Sequence, residues 1–307
     1  MLPRVVAVVG ATATGKTELG ERMAQRLDAE VVCADSRQVY GELEIGTGKP
    51  TLAERAALPH HLFDALRLDQ RASAGWYARA AAEACRAIAA RCRLPILVGG
   101  SGLYLKALAS GLSGAPPRVP ELRARLEAEL AASGPEEMHR RLAERDPETA
   151  ARLTPRDAQR ITRALEVLEA SGRPMSWWHA REPSPALEAR WRMFELDLEA
   201  RALAERIERR THEMFERGLV EETRGLTAAG LEPALGRLNA VGYDEALDLI
   251  AGRITRAEAE RRTSERTRQL AKRQRTWFRH QVRAVRLDGA ESAEQLTSEI
   301  LEALERH

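Results

Sequence analysis

The sequence predicts an α/β protein: a parallel sheet with helices on both faces, interrupted by an all-helical insertion. Three observations carry that prediction. β-Branched runs at Val5–Val9, Glu30–Ala34, Pro95–Val98, Arg192–Leu198 and Val282–Leu287 are separated by helical segments, the alternation that builds parallel sheets. The first run passes through a glycine-rich turn into a helix. Between Ala115 and about Pro185 no strand pattern occurs, and helix caps follow one another instead.

Taken in order, the first strand feeds "GATATGKT", and the helix after Thr17 runs through Leu27. The second strand ends at Asp35 in "EVVCADSRQVY". A helix with an alanine-rich face spans about Ser73 to Arg91. "ILVGGSGLYLKAL" then repeats the progression from strand through glycine turn to helix. After "SGAPPRVP", Pro120 and Pro135 fit first helical turns, and Asp146-Pro147 and Thr154-Pro155 each resemble a cap followed by proline. Gly134 and Gly172 fit helix ends. "RWRMFELDL" returns to the sheet pattern. Residues 1–114 and 186–307 therefore form the expected core, and 115–185 the insertion.

Composition narrows the class. The 307 residues are 44% hydrophobic and 31% charged, ordinary for a globular protein. No apolar run approaches the length of a membrane span, and the first strand begins too early for a signal peptide. Three cysteines, Cys33, Cys85 and Cys92, lack metal spacing and cannot all pair, so a reducing cytoplasm is expected. Cys85 and Cys92 fit buried positions on one helix. No histidine pair has ligand spacing with a third partner, which leaves His60 and His61 structural. The net charge of +2 announces no nucleic-acid partner. Its distribution says more: from Arg253 to Arg286 twelve Lys or Arg face three acids. Such a helix is either a solvated face or a surface for an anionic polymer. Trp277 and Phe278 near its end fit a core better than a base-stacking platform.

Gly10-Ala11-Thr12-Ala13-Thr14-Gly15-Lys16-Thr17 has the G-x-x-x-x-G-K-[ST] spacing of a phosphate-binding loop. Amides of such a turn, at a helix N-terminus, point at a bound anion. Lys16 adds a point charge for the terminal phosphate, and the Thr17 hydroxyl is placed to ligate Mg²⁺. Together with the alternating strands, this predicts a P-loop nucleoside-triphosphatase-like sheet. Asp35, at the mouth of that sheet, fits either a metal-organising acid or a base for an incoming nucleophile. The motif alone leaves a small-molecule kinase and other diphosphate chemistry open.

The remaining motifs are more specific. "GATATGKT", "DSRQVYGELEIGTGKP", "PHHLFD", "ILVGGSGLY", "DAQRITRALEV" and "TRQLAKRQRTWF" occur in order along nearly the whole chain. Together they resemble the bacterial tRNA dimethylallyltransferase family. The resemblance implies transfer of a dimethylallyl group from dimethylallyl diphosphate to the exocyclic amine of the adenosine just 3′ of the anticodon. It also implies Mg²⁺, release of diphosphate, and no consumption of ATP. Asp35 would then accept a proton from the amine. Ser101 takes a place that is usually threonine in the family and would keep its hydroxyl role.

By the same resemblance, Asp35, Ser36, Arg37 and Gln38 form one tRNA-contacting strip. Arg123 matches a further contact, and Gln159, Arg160, Ile161, Thr162 and Arg163 form a second strip. Read as a helix face alone, residues 159–163 would instead turn Ile161 inward. The insertion resembles a domain that closes over the anticodon stem-loop, with the arginine-rich helix from Arg256 to Arg283 against phosphate backbone. A monomer without membrane contact is expected. Two departures stand out. Asn239, in "LNAVGYDEAL", replaces the family's frequent arginine, and Glu44 stands where aspartate is common.

Overall fold

The computed structural model describes residues 2–305 and forms two compact units. One comprises the chain up to Ala109 and from Leu187 on; the other is Ser110–Ala186. No described helix is long and apolar enough to cross a membrane.

The larger unit is built on six parallel strands: β1 (Arg4–Gly10), β2 (Ala29–Cys33), β3 (His60–His61), β4 (Leu94–Gly99), β5 (Arg190–Asp197) and β6 (Val285–Asp288). Their order is β3-β2-β4-β1-β5-β6. β3 escapes the sequence reading because two histidines carry no strand pattern; it exists through the pairing Val31↔His60 and Val32↔His61. β6 begins three residues later than expected: the preceding helix ends at Gln281, and residues 282–284 connect it to the strand.

Connecting helices cover both faces. α1 (Lys16–Arg26), α2 (Leu52–Ala57), α3 (Ala74–Ala90) and α4 (Gly102–Ala109) belong to the first half of the larger unit. The smaller unit holds α5 (Pro120–Arg145), α6 (Pro147–Ala151), α7 (Ala158–Ser171) and α8 (Met175–His179). The larger unit resumes with α9 (Ala200–Glu216), α10 (Leu219–Ala228), α11 (Glu232–Leu238) and α12 (Tyr243–Ile250). It ends with α13 (Arg256–Gln281) and α14 (Ala293–Glu305).

Alternation along each strand splits the core in two. Val6, Val8, Ile96, Val98, Phe194 and Leu196 meet Leu19 and Met23 of α1 and Leu296 and Ile300 of α14. Each such fully buried aliphatic side chain contributes about 1.5–3 kcal/mol. Val5, Ala7 and Val9, also buried, point to the opposite face, where α13 packs on β1 and α3 packs on β2 and β4. Phe278 is buried there and Trp277 half-buried, with Trp277 lying against Gly102. Cys85 is buried on α3, and burial pushes its thiol up to about 12. Cys92 corrects the expectation of a second buried thiol on that helix: it lies past the end of α3 at φ 59 and is exposed.

The smaller unit has its own core of Leu126, Met138, Leu142, Ile161, Leu165 and Val167. Within α5 the chain breaks at Gly134 (φ 79) and restarts at Pro135. Asp146 caps α6 through Thr149 N at 3.2 Å. The cap of α7 is Asp157 rather than Thr154, accepting from Arg160 N at 3.2 Å. Thr154 and Pro155 form the turn before it.

Strand ends converge where the order leaves β1 and β4 at the centre. Close approach there admits only glycine: a Cβ on Gly99 would lie 2.1 Å from the Ala34 carbonyl oxygen. Gly99→Ala is therefore expected to destabilise the fold by about 3 kcal/mol, read as a lower urea midpoint at unchanged slope.

Candidate functional site

The phosphate loop follows β1 without interruption. Gly10 has φ +140, and a Cβ there would sit 2.4 Å from the Leu196 carbonyl oxygen. Ala13 takes positive φ (64) and Gly15 caps α1 at φ 97. A glycine-rich turn of this kind at a helix N-terminus is suited to presenting backbone amides to an anion. The Thr14 hydroxyl closes the loop on Ala11 O at 2.9 Å, and Lys16 Nζ also donates to Ala11 O.

Lys16 lies among groups that pull its acidity both ways. Burial lowers its pKa to about 8; the Asp35 charge raises it and the Arg210 cation lowers it further. Arg210 is the main residue that sequence reasoning missed. From α9 it sends Nη1 to Thr12 Oγ1 at 3.4 Å and Nη2 to Thr47 O at 3.0 Å. Burial holds its guanidinium below the ordinary value, against the pull of Asp35. One turn earlier, Arg206 Nη1 reaches Thr14 O at 3.4 Å. Gln274 of α13 receives Thr12 N at 2.9 Å and donates to Gly100 O at 3.0 Å, joining the loop to the end of β4.

The second cluster stands on β2 and β4. Asp35 is half-buried, two residues beyond β2, and its Oδ1 accepts from Arg37 N at 2.8 Å. The Ser101 hydroxyl receives Ser36 N at 2.8 Å, and Ser101 N donates to Ala34 O at 3.1 Å. Gln38 turns inward and bonds Thr47 O and Gly48 O, each at 3.2 Å. The same turn is held from below by Lys49, whose buried ammonium reaches Tyr40 O at 2.6 Å, Asp64 and Glu44. Gly10 to Thr17, Asp35 to Gln38 and Ser101 thus lie in one unit at adjoining strand ends.

Arg123 and residues 159–163 lie together in the smaller unit. Gln159 and Arg160 are exposed, Arg163 is half-buried, and Ile161 and Thr162 are buried. The Thr162 hydroxyl bonds Ala158 O at 2.7 Å. Glu166, fully buried, organises the arginines: Arg163 at 3.0 Å, Arg123 at 3.5 Å, and Val119 N at 3.0 Å.

On α13 most of the first cations are already neutralised. Arg256, Arg261, Arg262, Arg266 and Arg268 pair with nearby acids. Among the described residues, Lys272, Arg273 and Arg279 have no ion-pair partner, and all three are exposed. His60 bonds Glu21 at 3.2 Å and His61 bonds Glu30 at 2.6 Å. No group of three or more His, Cys, Asp or Glu able to hold a metal occurs among the described residues.

A phosphate-loop turn after β1, met by one lysine and two arginines, with a carboxylate and a hydroxyl at the adjoining strand ends, marks a phosphate-binding-loop protein of the α/β class. An IPP transferase family model matches residues 38–281, and the chain belongs to that family. It is 46% identical over 282 residues to the tRNA dimethylallyltransferase of Parasynechococcus marenigrum, covering 91% of this chain and 90% of that one. The fold is similar to the tRNA isopentenylpyrophosphate transferase of Bacillus halodurans (TM-score 0.70, 33% identity, 98% and 95% of the two chains). It is also similar to a eukaryotic dimethylallyltransferase acting on tRNA (TM-score 0.79, 25% identity, 94% and 74% of the two chains). The kinase alternative has no support among these relatives.

Proposed function

We propose that the protein is a tRNA dimethylallyltransferase, moving the dimethylallyl group from its diphosphate to the exocyclic amine of the adenosine 3′ to the anticodon. One observation carries the reading: Lys16 and Arg210 converge on the loop while Asp35 and Ser101 stand at the adjoining strand ends. Breaking the allylic C–O bond leaves charge on the departing diphosphate. Prearranged amides and cations stabilise that charge as it develops. The adenine amine forms the new C–N bond, and its proton passes to Asp35. Diphosphate is the leaving group, and no phosphoryl group is transferred.

The site is suited to Mg²⁺. The Thr17 hydroxyl has no hydrogen-bond partner in the protein among the described residues, and no carboxylate cage competes with it. Magnesium keeps several waters and takes few protein ligands beside substrate phosphate oxygens. Thr17 would hold it, and bound there it supplies further neutralisation of the diphosphate. Gly10, Ala11, Thr12, Ala13, Thr14 and Gly15 bind the donor through their backbone.

For the RNA, Arg37 and Ser36 lie beside the acid, while Gln159, Arg160 and Arg163 offer the polar groups of α7. Ile161 and Thr162 support that face from within, and Arg123 steadies Arg163 through Glu166. The unpaired cations Lys272, Arg273 and Arg279 favour phosphate backbone. The cytoplasm is the setting in which such an RNA is met, and the monomer is the working unit. The function is tested by incubating protein, Mg²⁺ and unmodified tRNA with donor labelled in its five-carbon group. After nuclease digestion the label should sit on that one adenosine; label confined to small-molecule products would reject the reading.

Lys16 gives this reading a pH signature. With the free ammonium at about 8, kcat/KM for the donor is expected to fall about tenfold per pH unit above that value. Bound diphosphate raises the lysine pKa, so the fall in kcat should begin at higher pH. Lys16→Arg should remove the alkaline limb from a pH–rate profile. The folded-state value lies below the ordinary 10.5, so the unfolded chain holds the extra proton. The same group therefore adds stability as pH rises from about 8 toward 10.5.

A further inference from the structure

The turn between α11 and α12 reaches the site from outside it. Asn239 caps α11 in the left-handed conformation, φ 48 and ψ 52, which asparagine tolerates and branched residues resist. The turn presents the Leu238 carbonyl to Arg37, whose Nη2 donates to it at 2.6 Å. The Asn239 side-chain oxygen accepts from Arg266 Nη2. Arg266 is also held by Asp244 at 2.8 Å and by Glu245. Glu245 in turn accepts from Gly242 N at 2.7 Å, so both ends of the turn are tied down.

Arg37 is the receiving end. Among the described residues its side chain has no carboxylate partner within ion-pair distance, and its backbone amide holds Asp35 Oδ1 at 2.8 Å. A second line of contacts leaves the same turn toward the diphosphate side. The Tyr243 hydroxyl bonds Glu222 and accepts from Gly46 N at 3.2 Å, while Glu222 accepts from Ile45 N at 2.9 Å. That segment ends at Thr47 O, the acceptor for Arg210.

We propose that Asn239, coupled to Arg266, is a positioning residue: it fixes the Leu238 carbonyl that anchors Arg37, and through Arg37 the direction in which the Asp35 carboxylate meets the adenosine. Restraining one donor of the guanidinium leaves its other N–H groups for the RNA. The proposal rests on the transferase reading, and it assigns to this chain's asparagine a task distinct from touching substrate.

The test is a steady-state comparison of Asn239→Val, Asn239→Gly, Asn239→Asp and Arg266→Gln with the unaltered protein, alongside anticodon stem-loop affinity. Asn239→Val strains the turn and removes the acceptor. It should raise KM for tRNA and lower kcat by about tenfold each, leaving KM for dimethylallyl diphosphate unmoved. Asn239→Gly keeps the turn and loses only the Arg266 link, so its effect should be smaller. Asn239→Asp should restore most of the loss. A folded Asn239→Val with unaltered tRNA KM, kcat and stem-loop affinity would overturn the brace. So would parallel changes for both substrates that merely follow a lower Tm. If Asn239→Val does not fold, the same split in Arg266→Gln supports the proposal and its absence overturns it. Absence of transfer by the unaltered protein would instead count against the function.

Discussion

Asp35→Asn is expected to lower single-turnover prenyl transfer by about 10²–10⁴-fold while leaving tRNA affinity intact. The amide is nearly isosteric with the carboxylate. It keeps an oxygen for Arg37 N, which sits 2.8 Å from Oδ1, so the turn from Asp35 to Gln38 should hold its shape. It cannot take the proton that the adenine amine must lose. The amine is a poor nucleophile because its lone pair is delocalised into the ring, so loss of the acceptor falls on the bond-forming step. Rapid-quench kinetics with stem-loop binding in parallel separates the two effects. Unchanged turnover in a folded Asp35→Asn would show that a group other than Asp35 takes the proton.

Lys16→Ala is expected to reduce kcat by about 10²–10³-fold, with KM for the donor rising as well. Lys16 carries the positive charge nearest the loop's own carbonyl at Ala11. Arg210 reaches the same loop from α9, and it keeps part of the site's affinity for diphosphate in the variant. Inhibition by inorganic diphosphate should therefore weaken without vanishing. A variant that turns over at the unaltered rate would show that charge on the leaving group is stabilised elsewhere.

The central strands were legible because their signal is local. β1, β2 and β4 are β-branched runs buried on both faces, and a phosphate loop follows its strand by fixed spacing. β3 is set by a neighbour rather than by its own two residues. Much of the site's charge was illegible for the same reason. Arg206 and Arg210 read as ordinary helix-surface residues until α9 folds onto the loop. One signal was available: neither has an acidic residue four positions away on α9, unlike Arg201 with Glu205. On α13 the composition misleads in the other direction, since six of its arginines are occupied by acids, several of them from other elements. On α7 the inward turn of Ile161 was legible from the helix face alone. Ile161 and Thr162 both face the core of the smaller unit.

The fate of the phosphorus is the most direct measurement. With dimethylallyl diphosphate labelled in its phosphates and unmodified tRNA, every prenyl group gained by the RNA should be matched by one free labelled diphosphate, with none cleaved further. Transfer of the γ-phosphate of labelled ATP to a small acceptor, with stem-loops untouched by the prenyl donor, would contradict it.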